Sequence, residues 1–436
     1  MKKFSQNLQI NRRQLINLGA FGAAIGWVNS FRGLAQTAFN EENRKFILIF
    51  LDGGWTSHLS VDPIMGSRRD SGNFEEVYNT HDIRTPTGKD KLFTGIGFQP
   101  ALDAFASMPT TFINGLRIDV PGHDSASAFM LTGKNLIGRT VTQPALTAMM
   151  GASKGGFASH VVLGGGLPLG DTMGAAPPLI TNGRSLGEML APPGVKFLPE
   201  TRAVLEEALA KHDNLFFQRL AEKSQLSLGP FRSSQKEISA VFEKFGSKML
   251  LTEDLEARYN VDANWGFGNF AAGFLTLREG LSSIVTIRSG GFDTHTNEQG
   301  TQIPRQQQVA GVIKTFVDDL RNTQDPHNPS TSIADNSTIL ITSEFVRTAK
   351  YNGTAGTDHQ NSASAILMGK GVKDNQVVGE TDEVGLPKGW VEEKPVTYSE
   401  ETRIDASSLV PTILEQFGLG EEANQMSQRR IHGIFT

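Results

Sequence analysis

The chain has 436 residues and a formal net charge of -5, with 41 Lys and Arg against 46 Asp and Glu, and it contains no cysteine. Charges of both signs are interspersed, so the basic stripe that nucleic-acid binding requires is missing and nucleic acid is excluded as a partner. Without cysteine there are no disulfides and no metal thiolates, so any metal must be held by Asp, Glu, His, Asn or hydroxyl groups, which favours Zn²⁺, Mg²⁺, Mn²⁺ or Ca²⁺.

At the N-terminus, Lys2 and Lys3 precede Arg12-Arg13, an apolar Gly/Ala-rich stretch from Leu15 to Val28, and small residues at Gly33-Leu34-Ala35. Residues 1–35 therefore read as an export signal; the apolar stretch is shorter than the roughly 20 residues that span a bilayer. The paired arginines point to the twin-arginine route, with the twin-arginine translocation machinery as partner and a periplasmic or otherwise exported destination. Residues 36–436 are expected to form a single α/β domain.

Phe46 to Leu51 is an apolar run without polar alternation, the pattern of a strand buried on both faces, and it ends at Asp52-Gly53-Gly54. After a polar loop, a helix is predicted near Gln99–Ser107 and a strand near Thr110–Asn114. A second helix is predicted to enter at His123-Asp124-Ser125 and to stop at Gly133. A strand-like His160–Leu163 lies inside a Gly/Pro-rich excursion. Residues 200–261 carry helical periodicity with alternating charge and read as a helical insertion with solvated faces. A helix at Asn269–Arg278 feeds the strand Ser283–Ile287, which leads to Asp293-Thr294-His295. Another helix is predicted over Pro304–Leu320, followed by a polar loop at Gln324–Ser332. The strand Thr338–Ile341 ends at Thr342-Ser343-Glu344, and Asp358-His359 precedes the run Ala363 to Met368. Residues 374–402 form a hairpin or excursion, and a last helix runs from a cap at Asp405 to about Phe417.

The carboxylates and imidazoles at these strand ends are the candidate chemistry, because ligands of open α/β sheets bind beyond the carboxyl ends of the strands. Asp52 is either a metal ligand or a turn-capping residue. Asp293 and His295, two apart in extended chain, project to one side and can reach one ion, and Asn297 continues the alternation. Glu344 can ligate while Arg347 grips an anion, or the two form a structural ion pair. Of Asp358 and His359, which point opposite ways, His359 is the expected ligand and Asp358 the group that orients it or a neighbour. His123, at a helix entry, is a ligand or a nucleophile. His58, His81, His160, His212, His327 and His432 read as ordinary residues.

The export signal, Asp52-Gly53-Gly54 with Ser57-His58, His123 through Leu131-Thr132-Gly133, Gly291 to His295, Thr342 to Thr348 and Thr357-Asp358-His359 together resemble the DUF1501 proteins, an exported bacterial family of the alkaline phosphatase/sulfatase-like superfamily. That resemblance implies an alkaline-phosphatase-like three-layer sandwich with a mostly parallel central sheet. It also implies a metal site at the strand ends, mapped here onto Asp52, Asp293 with His295 or Asn297, and His359, with His123 at the nucleophile position. From the residues themselves, Asp52, Asp293, His295, Glu344 and His359 are the expected metal ligands and Arg347 the group on the anion. The implied activity is hydrolysis of phosphate or sulfate esters. Two positions depart from the superfamily: Glu344-Phe345 replaces an Asp-His or Asp-Asn pair, and no Ser, Thr or Cys occupies the nucleophile position. A His nucleophile, a single ion that activates water, or a scaffold that binds without turnover are the resulting alternatives.

Overall fold

Short Ile/Val/Leu/Phe runs have no polar edge to show to water, and the chain stacks them as the interior of one sheet. The computed structural model describes residues 44–65, 83–136, 141, 143–154, 158, 160–167, 179–180, 183–190, 244–391, 394–397, 399, 401–427 and 429–436. The export-signal expectation, residues 200–243 of the expected insertion, His81 and His212 lie outside them.

In chain order the elements are β1 (Lys45–Leu51), α1 (Leu102–Ser107), β2 (Thr110–Arg117), α2 (His123–Thr132), α3 (Leu146–Lys154), β3 (Val161–Leu163), β4 (Leu179–Ile180) and α4 (Gly183–Leu190). They continue with α5 (Glu253–Arg258), α6 (Gly268–Arg278), β5 (Ile284–Ser289), α7 (Glu298–Asn322), β6 (Gln324–Asp325), β7 (Asn328–Ser332), β8 (Ser337–Thr342) and β9 (Ser362–Gly369). Last come β10 (Gln376–Val378), β11 (Gly389–Val391), β12 (Lys394–Val396), α8 (Ala406–Gln416) and α9 (Gly420–Met426).

The central sheet has eight strands in the order β10-β2-β9-β8-β1-β5-β3-β4. β1 lies parallel between β8 and β5, and β9 alone among the described strands of this sheet runs antiparallel to its neighbours. Alternate residues of β1 serve two cores. Ile47, Ile49 and Leu51 join residues of α1, α6 and α7 on one face. Phe46, Leu48 and Phe50 join residues of α2, α3, α8 and α9 on the other. The result is the expected three-layer α/β architecture with a mostly parallel sheet. Among the described residues, no helix is long and apolar enough to cross a membrane.

Several elements differ from expectation. The polar loop at Gln324–Ser332 is the antiparallel pair β6–β7. Part of the excursion after Asp374 joins the central sheet as β10, and the rest forms the hairpin β11–β12. Residues 244–261 are not merely solvated: Phe245, Met249, Leu255 and Tyr259 enter the core, and the Tyr259 hydroxyl donates to Asp319 at 2.9 Å. Helix α7 begins six residues before Pro304, which lies inside it. Proline there leaves the carbonyl of Gly300 without its intrahelical donor.

Candidate metal centre

Parallel strands end on one side of a sheet, and β1, β5 and β8 deliver their following loops there together. Because β9 runs the other way, the loop before it, which carries Asp358-His359, reaches the same edge. His123, the first residue of α2, follows β2 on that edge as well. The loops are joined by isolated bridges: Trp55 to Val346, Thr296 to Ala355 and Arg347 to His359. Two glycines make the approach of the first loop feasible. Gly53 (φ 116°) has the backbone of Asp293 where a Cβ would lie, and Gly54 (φ 81°) has the Phe345 ring there. Their freedom serves the close packing of these loops.

Four side chains, His123, Asp293, His295 and His359, bring one ligand atom each to within 4.8 Å of one another. Each imidazole is anchored through Nδ1. His123 Nδ1 donates to Glu344 Oε1 at 2.8 Å, His295 Nδ1 to Asp358 Oδ1 at 3.1 Å, and His359 Nδ1 to the Pro121 carbonyl at 2.5 Å. These partners fix the tautomers, so all three rings keep an Nε2 lone pair for the interior. The Nε2 atoms of His295 and His359 lie 3.1 Å apart. Asp293 Oδ1 is 3.3 Å from His295 Nε2, and Asp293 Oδ2 is 3.7 Å from His123 Nε2. Lone pairs and a carboxylate facing one another repel unless a cation sits among them; the Arg347 guanidinium stands at one side of the group, its Nη2 on Asp293 Oδ1 and its Nη1 3.4 Å from His295 Nε2. Phe345 forms the apolar floor, its ring centroid 4.3 Å from that of His359 and 5.0 Å from that of His123.

The titrations follow from these contacts. The hydrogen bond to Glu344 is the largest influence on His123 and raises its pKa. Burial is the largest influence on His359 and, with Arg347 and the other two histidines, lowers its pKa. For Asp293, burial pushes the pKa up, but the Arg347 hydrogen bond and charge, with the histidines, outweigh it and hold the carboxyl below its ordinary value.

The other residues singled out from sequence stand around this group. Glu344 is fully buried and turns away from it: Oε1 accepts from His123 and from the Gly53 amide at 2.8 Å, and Oε2 lies 2.8 Å from Ser343 Oγ. Asp52 accepts from Arg288 Nη2 at 2.7 Å, and its pKa is raised, chiefly by burial. Arg347, fully buried, gives its guanidinium to Asp293, to the Gly53 carbonyl and to the Thr357 carbonyl. Asn297 is exposed and occupies the N-cap position of α7 in a left-handed conformation (φ 49°), with no side-chain capping hydrogen bond. His58 and His160 are buried in local contacts with Asp62 and Thr286, and His432 is exposed.

Beside the four lies a cavity of about 270 Å³ lined by Asp52, His123, Ser127, Gly166, Arg288 and Asp293 among others. Arg288 was not singled out from sequence. The available signal was a cation at the end of a buried strand, which must find a partner there.

A sequence model of the family described as a protein of unknown function (DUF1501) matches residues 216–428, just under half of the chain. No curated protein matches. Among solved structures, Ps i-CgsB in complex with k-i-k-neocarrahexaose is 11% identical with a TM-score of 0.38, over 89% of this chain and 74% of that one. The lipoteichoic acid synthase LtaP from Listeria monocytogenes is also 11% identical with a TM-score of 0.38, over 90% and 77% of the two chains. At that identity and score, an assignment of function rests on the geometry of the site itself.

Proposed function

We propose that this chain is an exported DUF1501 protein that hydrolyses phosphate or sulfate esters with a divalent cation held by His123, Asp293, His295 and His359. The observation that carries this reading is the shared anchoring of the three imidazoles: each Nδ1 is tied to an outer acceptor and each Nε2 is left for the centre. Carboxylate or carbonyl partners behind ligating histidines are the usual support of a metal site. Three nitrogens and one carboxylate suit Zn²⁺ better than Mg²⁺ or Ca²⁺, which prefer oxygen.

The ion supplies Lewis acidity toward a bound ester. The chain's own residues do the rest. Glu344 and Asp358 hold the rings of His123 and His295, Phe345 keeps water from beneath them, and Arg347 pairs with Asp293 Oδ1, the oxygen that also faces His295. Of the two roles the sequence leaves open for His123, ligand or nucleophile, this reading takes the ligand, and it makes Glu344 the support of that ring in place of a ligand. Ser127 and Arg288 are the hydroxyl and the cation that the adjoining cavity offers a substrate.

Elemental analysis of purified protein, with a screen of phosphomonoesters, phosphodiesters and sulfate esters, tests the reading. One bound ion per chain is expected, and Asp293→Ala and His359→Ala should each lower both ion content and turnover by at least about 100-fold. Wild-type protein without stoichiometric metal, and with turnover untouched by either substitution, would sink the proposal.

A second reading, an exported protein that binds without turnover, has one observation in its favour. Arg347, the residue expected to grip an anion, spends its donors inside the protein. In that case chelation lowers the melting temperature and no ester is turned over; metal-dependent turnover excludes it.

A further inference from the structure

Glu298, the first residue of α7, has no exposed surface, yet it carries a carboxylate. Three threonine hydroxyls donate to it: Thr56 to Oε1, Thr294 to Oε2, and Thr357 to Oε2 at 2.9 Å. The three donors belong to three different loops. Thr56 follows Asp52 after β1, Thr294 lies between Asp293 and His295, and Thr357 precedes Asp358-His359. Thr56, Thr294 and Thr357 are themselves buried. Two backbone bonds tie the same parts together, from the Thr357 amide to the Thr294 carbonyl at 3.0 Å and from the Glu298 amide to the Ala355 carbonyl at 2.8 Å.

One helical turn further on, at the next position of the same face, Gln302 repeats the arrangement. Its Nε2 reaches the carbonyls of Gly54 at 3.2 Å and Phe292 at 2.7 Å, and Thr294 Oγ1 at 3.2 Å. Gln306, another turn on, donates to the Thr56 carbonyl at 2.9 Å and to Gln302 Oε1 at 3.1 Å. The buried face of α7 is therefore apolar at Val309, Ile313 and Phe316 but polar where it passes beneath the centre. A fully buried carboxylate costs several kcal/mol to desolvate. A fold that needed only packing would place an apolar residue here.

We propose that Glu298 is a positioning residue whose carboxylate clamps the loops bearing Asp293, His295 and His359 into register, so that the cation site is formed before the cation arrives. For its ion-binding arm this rests on the metal-centre reading; the clamp itself does not. Burial raises the carboxyl pKa, and the three hydroxyls, with the charge of Arg347, offset only part of that rise. Three hydroxyl donors are what an ionised carboxylate satisfies, and an amide in its place offers one acceptor oxygen and a donor group that meets hydroxyls already oriented as donors.

The test compares Glu298→Gln, Thr357→Val and Thr357→Ser in the full chain, with amide hydrogen exchange on metal-free protein and calorimetric titration with Zn²⁺. Glu298→Gln and Thr357→Val should speed exchange at the Thr357 and Asn297 amides by about 10-fold or more while β1 and β8 keep their wild-type protection. They should weaken Zn²⁺ binding by about 10–100-fold. Thr357→Ser, which keeps the hydroxyl, should restore wild-type values in both measurements. Unchanged exchange at those amides in Glu298→Gln, or equal behaviour of Thr357→Ser and Thr357→Val, overturns the clamp. If the wild-type chain takes up no Zn²⁺, the metal-centre reading fails, and the exchange measurements still decide for or against Glu298.

Discussion

At the scale of single residues, the partner behind a side chain decides its role more than its type does. His123 and Glu344 are each a fair ligand by chemistry, yet the 2.8 Å bond between them leaves only one facing the centre. Replacing Glu344 with Gln removes the largest influence raising the His123 pKa, so the ring's NMR titration midpoint in metal-free protein should move down. His160 shows the opposite case. Burial lowers its pKa from 6.5 to about 3 in the folded chain. Between those values the unfolded chain binds more protons, so the contribution of this group is complete above the unfolded value and is lost as pH falls toward the folded one. Relative to His160→Gln, the wild-type chain should lose about 2 kcal/mol more stability between pH 8 and pH 5, measured by urea unfolding. The opposed directions of Asp358 and His359 were legible in extended chain, and of the two expected partners for Asp358 the structure shows the neighbour, His295. The roles of Glu344 and Arg347 were not, because hydrogen bonds across 221 and 54 residues of sequence leave no local pattern.

At the scale of elements, the strands were the most legible part. β1, β5, β8 and β9 fall where unbroken apolar runs put them, since strands covered on both faces need no alternation. The start of α7 was hidden. Pro304 mimics a first helical residue, and the true first turns bury Glu298, Gln302 and Gln306, which an apolar periodicity does not count. The same loss applies to the turns between elements. Gly54 reads as one more Asp-Gly-Gly turn, but at φ 81° and with the Phe345 ring 2.3 Å from a built Cβ it is the point where the β1 loop and the floor of the centre touch. Gly54→Ala should therefore cost about 2 kcal/mol or more, seen as a lowered urea midpoint, and should disturb the rings of His123 and His359 that rest on Phe345.

At the scale of the whole molecule, the two ends of β1 have different duties. Asp52 follows its last residue at the edge where His123, Asp293, His295 and His359 gather. At its start, Lys45 makes a 2.5 Å ion pair with Asp325, both fully buried, and Asn336 adds a bond at 2.9 Å. Removing one partner strands a buried charge, so Asp325→Asn should destabilise by about 3–5 kcal/mol while leaving ion affinity at the other end unchanged. The chemical edge should in turn report on the fold. A ligand present at 100 times its dissociation constant, bound only by the native chain, adds about 2.7 kcal/mol, so saturating Zn²⁺ should raise the melting temperature and chelation should reverse the shift. The four inward groups stretch from residue 123 to residue 359, and the clamp beneath them reaches back to Thr56. No contiguous fragment shorter than that span holds them all. If the four groups hold an ion as proposed, a nascent chain acquires its appetite for metal late and all at once, and a bound ion would certify that the sheet has closed correctly across its middle.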